Sequence, residues 1–231
     1  MPDAERREPF DPAAVLAPLA RRALVADFTG LLARCRMLYA ILTAANQSVN
    51  LTRITSEEGF WLKHVADSLL LGAAFPDLTG RPLRVGDIGC GAGFPSLILA
   101  MAYPAWRVGA IDSAGKKTAF VASAAAGLEL DNLEVITGRT REMGFKALYQ
   151  KKFDLLTARA VGEAPVIYGD ARKLLADHGR WIFYKTPEQA EKELETFRTN
   201  PPPGARLKWQ ITRPESLPCN AGTRVFLHAG G

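Results

Sequence analysis

The chain has 231 residues, of which 48% are hydrophobic, and its formal net charge is +5. This length suits one α/β domain with an extension, and no apolar run approaches the roughly 18 residues that a membrane span needs, so we expect a soluble cytoplasmic protein. The positive charge permits an anionic partner without requiring one, and three scattered cysteines (Cys35, Cys90 and Cys219) exclude a disulfide framework and predict no metal site.

The first 80 residues predict a helical extension. Residues 1–12 have the composition of a disordered N-terminus, and residues 13–80 form the predicted extension. Between Ala13 and Ala45, apolar side chains recur at helical spacing, which predicts two helices with a break near Gly30. Arginines among them are typical of a solvated helix face, although an RNA-facing side is the alternative.

A further helix follows in the same extension. Ser56 and the two glutamates after it predict a cap and an acidic first turn for a helix that runs to about Phe75. Within it, His64, Asp67 and Ser68 are spaced i, i+3 and i+4, so they share one face. By residue type alone, this polar triplet is either a hydrogen-bond network that ties the helix to the main domain or part of a site.

Residues 81–231 predict the main domain, because strand and helix patterns alternate from Arg84 onward. This alternation predicts a doubly wound, mainly parallel sheet. The predicted strands are Arg84–Ile88, Trp106–Asp112, Leu133–Gly138, Phe153–Ala160 and Arg180–Lys185, and the predicted helices are Pro95–Met101, Gly115–Gly127, Pro165–Asp177 and Pro187–Thr199. Two last strand patterns, 206–212 and 223–228, predict a hairpin that closes the sheet with an antiparallel edge.

A glycine-rich turn joins the first strand to its helix, in the run Asp87-Ile88-Gly89-Cys90-Gly91-Ala92-Gly93-Phe94-Pro95. Alternate glycines let the backbone take positive φ and approach a ligand closely, whereas a surface turn without a ligand rarely needs three of them. The spacing is not that of a dinucleotide site, and no lysine follows as in a P-loop. A carboxylate at Asp87 attracts a ligand that carries an ammonium or a sulfonium, and S-adenosylmethionine fits this description.

Polar residues also end the other predicted strands, where doubly wound folds bind ligands. Asp112 stands where an acidic residue meets ribose hydroxyls, although it can equally cap the next helix. Thr140 and Arg141 are candidates for an adenine pocket. Arg159, if it is not simply a surface strand end, can hold the methionine carboxylate of the cofactor or a nucleic-acid phosphate.

Taken in order, these motifs resemble the bacterial methyltransferases that make 7-methylguanosine in the 530 loop of 16S rRNA. The resemblance runs from about Met37 to Leu227 and is carried by Asn50-Leu51-Thr52, Lys63-His64, Asp67-Ser68, the glycine turn, Asp112-Ser113, Lys116-Lys117, Gly138-Arg139, Arg159-Ala160 and Lys185. It implies a class I, Rossmann-like methyltransferase fold, S-adenosylmethionine as cofactor, and 16S rRNA or the small ribosomal subunit as partner. We expect a monomer without a metal.

Residues and resemblance together give a set of candidate roles. The catalytic candidates are Arg159, His64 and Asp67; the cofactor candidates are Asp87, Gly89, Gly91, Gly93, Phe94, Pro95, Asp112, Ser113, Thr140, Arg141 and Arg159; the RNA-binding candidates are Lys63, His64, Ser68, Lys116, Lys117 and Lys185. Ser96, Arg141 and Thr186 depart from the family pattern, which usually has glycine, glutamate and glycine there.

The expected reaction needs little from the protein besides alignment. Nitrogen 7 of guanine carries a lone pair and no proton, so it can attack a sulfonium methyl group without a general base. Two other functions fit the same motifs: a non-catalytic ribosome-assembly factor that keeps the fold, and a small-molecule methyltransferase.

Overall fold

One mixed sheet organises the chain in the computed structural model, which describes residues 10–205 and 207–230. Its strands are β1 (Arg84–Ile88), β2 (Arg107–Asp112), β3 (Leu133–Thr137), β4 (Phe153–Arg159), β5 (Leu175–Lys185), β6 (Gln210–Ile211), β7 (Glu215–Ser216) and β8 (Thr223–Gly230). The order is β3-β2-β1-β4-β5-β8-β6, with β7 paired to β8. Strands β1 to β5 are parallel, and β8 is antiparallel to β5, β6 and β7. The predicted doubly wound sheet with an antiparallel C-terminal edge is confirmed.

Helices cover both faces of this sheet. They are α1 (Pro12–Arg22), α2 (Phe28–Asn46), α3 (Glu57–Phe60), α4 (Asp67–Ala74), α5 (Pro76–Thr79), α6 (Ser96–Ala102), α7 (Gly115–Gly127), α8 (Thr140–Met143), α9 (Ala164–Ala171) and α10 (Pro187–Thr199). A π-helical turn, Trp61–Ala66, joins α3 to α4. Buried side chains of α1, α2, α4, α6 and α7 form one core cluster with the sheet, and those of α8, α9 and α10 form the other. The N-terminal helices therefore share the core of the main domain.

The N-terminal boundaries differ from the sequence prediction. Of the segment predicted to be disordered, residues 1–9 lie outside the described part, while Asp11 caps α1 by accepting a hydrogen bond from the Ala13 amide at 2.9 Å. The break between the first two helices comes before Gly30, because Asp27 caps α2 by accepting from the Gly30 amide at 2.8 Å. A cap of this kind satisfies a backbone N–H that the first helical turn leaves free.

Helix α2 corrects the expectation that no segment is apolar enough for a membrane span. With 19 residues, α2 is long and apolar enough to cross a membrane by length and composition. Five of its side chains lie in the core cluster of the domain: Leu31, Leu32, Cys35, Leu38 and Leu42. Arg34 donates a hydrogen bond to the Met101 carbonyl of α6 at 3.2 Å, so one face of α2 packs against the core of the domain.

Two C-terminal elements also differ from prediction. The helix expected to reach Asp177 ends at Ala171, and β5 begins at Leu175 beside Phe153 of β4. A short apolar run such as this fits helix and strand equally well, so periodicity did not separate them. The predicted strand over 206–212 is reduced to the two residues of β6, with position 206 outside the described residues.

Parallel strands bring the candidate side chains to one edge of the sheet. Ile88 at the end of β1 is paired with Ala158 of β4, and Arg159 is paired with Tyr184 of β5. The glycine turn after β1 and the arginine that ends β4 are therefore neighbours.

Candidate functional site

The glycine turn forms an open cradle held by one carboxylate. Gly89, Gly91 and Gly93 all have positive φ, at 68°, 56° and 85°. Asp112 of β2 accepts hydrogen bonds from the Gly91 amide at 3.0 Å and the Ala114 amide at 2.9 Å, one on each oxygen. A Cβ atom on Gly91 would meet nothing nearer than the Gly89 carbonyl oxygen at 3.9 Å. The backbone is thus bare on this side, and each Asp112 oxygen keeps a lone pair for a hydroxyl.

Asp87 lies beneath the turn rather than in it. The Ser96 amide (3.2 Å) and hydroxyl both donate to its Oδ2, while the fully buried Oδ1 has no partner. Burial raises the pKa of this carboxyl to about 7, although the Ser96 bonds and the charge of Arg159 act in the opposite direction. Direct contact with a ligand, which the sequence suggested, is not open to it in this conformation. Ser96 holds Asp87 there, so from this position only its charge can influence a ligand in the cradle.

A second carboxylate joins two arginines from distant parts of the chain. Asp67 is 1% exposed. Its Oδ2 accepts from Arg159 of β4 at 2.8 Å and from Arg224 of β8 at 3.0 Å, and its Oδ1 accepts from Arg224 Nε at 2.7 Å. Arg224 therefore binds Asp67 through two atoms, a geometry that a planar guanidinium favours. The cluster links α4, β4 and β8 and has one positive charge in excess.

The π-helical turn places His64 against the same arginine. Arg159 donates from one terminal nitrogen to the Lys63 carbonyl at 2.7 Å, and its other terminal nitrogen lies 3.1 Å from His64 Nδ1. Since a guanidinium only donates, Nδ1 is the acceptor and the imidazole proton is on Nε2, 3.1 Å from Thr52 Oγ1. Burial and the charge of Arg159 lower the pKa of His64 to about 3. The ring is neutral and stacks on Phe94 at 4.1 Å.

A cleft of about 540 Å³ opens beside this cluster. Asp67, Arg159 and Arg224 line it together with Lys63 and His64 of the π-helical turn. The rest of its walls come from Ile54, from Ala160 and Tyr184 at the ends of β4 and β5, from the start of α10, and from residues 217–224, which are called the loop 217–224 although the last two begin β8. The cleft lies at the carboxyl ends of β4 and β5, adjacent to the cradle at the end of β1.

Besides His64, which is 6% exposed, two residues predicted to bind RNA are buried: Lys185 and Ser68. Lys185 is 7% exposed, and its Nζ is bonded to Glu193 Oε1 at 2.8 Å and to the Gly162 carbonyl at 2.7 Å. Ser68 is fully buried, and its hydroxyl donates to the His64 carbonyl at 2.6 Å. Neither group faces a surface that RNA can reach, because each is enclosed between packed elements. Spacing alone placed both at the site edge without showing which way they face.

The Lys185 pair supports the loop between β4 and α9. Glu193 Oε2 accepts a hydrogen bond from the Ala164 amide at 2.7 Å, so the ion pair holds both ends of the segment 162–164. Val161, just before it, lies over the cradle, where a Cβ atom on Gly89 would come within 2.4 Å of its side chain. Lys185 and Glu193 thus position the loop that covers one side of the cradle.

Of the remaining candidates, Pro95 is buried at the end of the glycine turn, whereas the others lie at or near the surface: Lys63, Ser113, Lys116 and Arg141 are exposed, and Lys117 and Thr140 are half-buried. The Gly138 amide donates to the Asp112 backbone carbonyl at 3.0 Å, which brings the segment with Thr140 and Arg141 next to the cradle.

Sequence reasoning missed Arg224. It is one of several arginines in the C-terminal region and belongs to no recognisable motif. Its partner, Asp67, is 157 residues away, so no local spacing connects them. Only the sheet order, which puts β8 next to β5, brings it to the site.

A family model described as rRNA small subunit methyltransferase G (GidB) matches residues 32–202. The chain belongs to this family. Curated relatives named ribosomal RNA small subunit methyltransferase G include one from Gloeobacter violaceus, 40% identical over 70% of this chain and 63% of its own length. Others are from Lactobacillus helveticus, at 38% over 69% and 66%, and from Microcystis aeruginosa, at 38% over 70% and 74%. The chain thus matches about two thirds of the length of these relatives, and Arg224 lies outside the range of the family model.

Solved structures establish the fold of this family member independently. Cofactor-bound Rv0187 from MTB aligns with a TM-score of 0.58 and 22% identity, over 96% of this chain and 98% of that one. A SAM-dependent methyltransferase from Aquifex aeolicus aligns with a TM-score of 0.54 and 15% identity, over 74% and 92%. The chain has the fold of the S-adenosylmethionine-dependent methyltransferases.

Proposed function

We propose that this protein transfers a methyl group from S-adenosylmethionine to nitrogen 7 of a guanine in the 530 loop of 16S rRNA. One observation carries the choice of nucleophile: the imidazole and the carboxylate that line the cleft beside Arg159 are both bonded to arginines, and Asp87 is fully buried beneath the cradle turn. His64 is neutral, with its Nδ1 facing Arg159, and both Asp67 oxygens accept from arginines. A nucleophile that needs deprotonation would lack a base here, whereas guanine nitrogen 7 has no proton to lose. Family membership supports RNA as the substrate.

The cradle and its surroundings fit the cofactor in four respects. The bare backbone at Gly91 leaves room for a ligand to approach closely, and the two Asp112 oxygens can accept from ribose hydroxyls. Arg159 keeps Nε and one hydrogen of Nη2 without a described protein partner, so it can also hold a carboxylate. The unpartnered Oδ1 of Asp87 gives a negative charge near a ligand with a positive centre. When bound, the cofactor supplies a sulfonium-linked methyl group.

The protein's own contribution is alignment. Asp67 binds Arg159, and Arg159 donates a hydrogen bond to the neutral imidazole of His64. The His64 ring in turn stacks on Phe94 of the cradle turn. A rigid chain of contacts of this kind connects the cleft to the cradle, so that a base in the cleft meets a fixed partner. Burial of His64 and Phe94 also keeps water from the junction.

We further propose Lys63, Lys116 and Lys117 as RNA contacts, because they remain at the surface on the binding edge. The partner would be 16S rRNA or the small ribosomal subunit, bound by a monomer in the cytoplasm. Phosphate contacts from these lysines would make binding fall with salt. The proposed domain arrangement is a helical extension, 13–80, that presents the π-helical turn to the domain 81–231.

Methyl transfer to RNA is the direct test. We expect 7-methylguanosine in nucleoside digests of 16S rRNA or small subunits after incubation with S-adenosylmethionine, measured by mass spectrometry. Asp112→Ala should remove most of it, since the cradle loses the carboxylate that holds Gly91. Asp131→Ala, at an exposed position on the opposite edge of the sheet, is the matched control and should retain activity.

The two alternatives give different outcomes in the same assay. Binding of small subunits without any labelled product would favour the assembly factor. Label that appears only in small molecules of a cell extract would favour a small-molecule enzyme, and either result would overturn the proposal.

The pKa of Asp87 predicts how cofactor affinity depends on pH. We expect affinity for S-adenosylmethionine to rise about tenfold between roughly pH 5.5 and pH 7, because a cationic ligand binds better once Asp87 has lost its proton. Without a ligand, the protein should become less stable as the pH rises over the same range. The raised pKa of Asp87 keeps this carboxyl protonated in the folded protein, whereas the unfolded chain has already released that proton. Isothermal titration calorimetry and thermal melts measure the two trends.

Asp87→Asn is the control for this pH dependence, since an amide of the same shape does not titrate. The other buried titratable groups nearby stay outside the range: the pKa of His64 is lowered to about 3, and burial raises the pKa of the Cys90 thiol. The amino group of the cofactor titrates above it. An affinity slope that persists in Asp87→Asn would show that Asp87 is not its source.

A further inference from the structure

The loop 217–224 is fixed to the rest of the protein at both ends. It consists of the connection 217–222 between β7 and β8 and the first two residues of β8, and the two strands pair through Glu215 with Arg224 and Ser216 with Thr223. The Leu217 amide donates to the Gly222 carbonyl at 2.8 Å, and the Leu217 side chain is buried in the main core. A second tie comes from β7, where Glu215 binds Arg22 of α1 at 2.6 Å. The loop is therefore a rigid wall of the cleft.

Arg224 ties this wall to the site. Its side chain is 19% exposed, and its guanidinium binds Asp67 through two hydrogen bonds, of 2.7 and 3.0 Å. Asp67 in turn holds Arg159, so the distance between the C-terminal loop and the end of β4 is set through one carboxylate. Without Arg224, the cleft keeps Arg159 but loses the contact that fixes its far side.

The cleft has the size and chemistry for one nucleotide. Its volume of about 540 Å³ lies within the range of small-ligand sites, roughly 300–1,000 Å³. Apolar side chains (Ile54, Leu217 and Ala221) give surfaces for a flat base, while Lys63 and the Arg159–Arg224 pair give positive charge for a phosphate. An enzyme that modifies a base edge must take the base out of its stack, and a pocket beside the cofactor receives it.

We propose that the loop 217–224 is the outer wall of a pocket for a single purine nucleotide turned out of the RNA, and that Arg224 is the positioning residue that sets the width of this pocket. The proposal rests on the proposed function, because it takes the RNA substrate from there. It adds a site element that lies beyond the range of the family model.

The first test fills the pocket. Ala221→Trp places a large ring on the loop wall, away from the cradle. We expect at least a hundredfold loss of methyl transfer to RNA, with an unchanged cofactor affinity by calorimetry and an RNA affinity within a fewfold of the wild type. Ala176→Trp, at the opposite edge of the sheet and also half-buried, is the matched control and should keep activity.

A fluorescence readout tests whether the nucleotide occupies the pocket, without catalysis. RNA that carries 2-aminopurine at the position the wild type methylates should brighten on binding the wild type and remain dark with Ala221→Trp. A wild type without RNA methylation would refute the proposed function itself. A wild type that methylates, together with a fully active Ala221→Trp, would refute only the pocket.

Arg224 is tested by two substitutions. Arg224→Gln should lower kcat about tenfold or more, with a smaller change in KM, because the pocket is no longer held at the width that aligns the base. Arg224→Lys keeps the charge but not the two-atom contact, so it should recover only part of kcat. If KM rises equally in the two variants while kcat stays unchanged, Arg224 is only an RNA contact, and its positioning role is overturned.

Discussion

Replacing Asp67 with alanine is expected to lower the free energy of unfolding by about 3 to 5 kcal/mol and to abolish methyl transfer. The substitution leaves Arg159 and Arg224 close together, largely buried and without their shared carboxylate. Two like charges in that position repel each other and lack the hydrogen bonds that compensate for lost water. Chemical denaturation measures the first effect and the RNA methylation assay the second.

The matched control is Asp77→Ala. Asp77 also binds an arginine, Arg180 at 3.1 Å, but its side chain is 58% exposed. Exposed pairs contribute little, so this control should cost less than about 1 kcal/mol. Equal destabilisation by the two substitutions would mean that Asp67 is no more than an ordinary ion-pair partner, and the cluster would lose its role as the centre of the site.

Local sequence predicted the parts of the site whose chemistry depends on local backbone geometry. Gly89, Gly91 and Gly93 were identified because their positive φ angles require glycine, and Asp112 because it ends a strand beside them. The spacing of the third predicted helix also correctly placed His64 and Asp67 close together, since both contact Arg159. Such features are encoded within a few residues of the chain.

The rest of the site depends on which buried groups meet across the fold. Ser68 bonds inward to the carbonyl of His64 four residues earlier, while His64 and Asp67 both reach Arg159 on β4. Arg224 meets Asp67 only because β8 inserts between β5 and β6. The sequence contains these residues, but spacing determines neither their burial nor their partners.

The sequence pattern also did not reveal the partner of Lys185. It suggested an RNA contact, whereas in the structure Lys185 forms a buried ion pair with Glu193. We expect Lys185→Met to lower the free energy of unfolding by about 3 to 5 kcal/mol, because Glu193 stays buried without its ammonium partner. Cofactor affinity should fall as well, since the segment 162–164 that positions Val161 over Gly89 loses one of its two anchors.

Three comparisons separate the buried-pair role from an RNA contact. Lys192 is on the same helix as Glu193 and forms an exposed pair with Glu163. Lys192→Met breaks this pair and should lower the free energy of unfolding by less than about 1 kcal/mol. Adding Glu193→Leu to Lys185→Met should recover most of the stability, because no unpaired charge remains buried. For Lys185→Met, the slope of RNA affinity against salt concentration on a log-log plot should equal that of the wild type. A stable Lys185→Met variant with a slope flatter by about one unit would mean that Lys185 reaches a phosphate after all, and that the loop over the cradle opens when RNA binds.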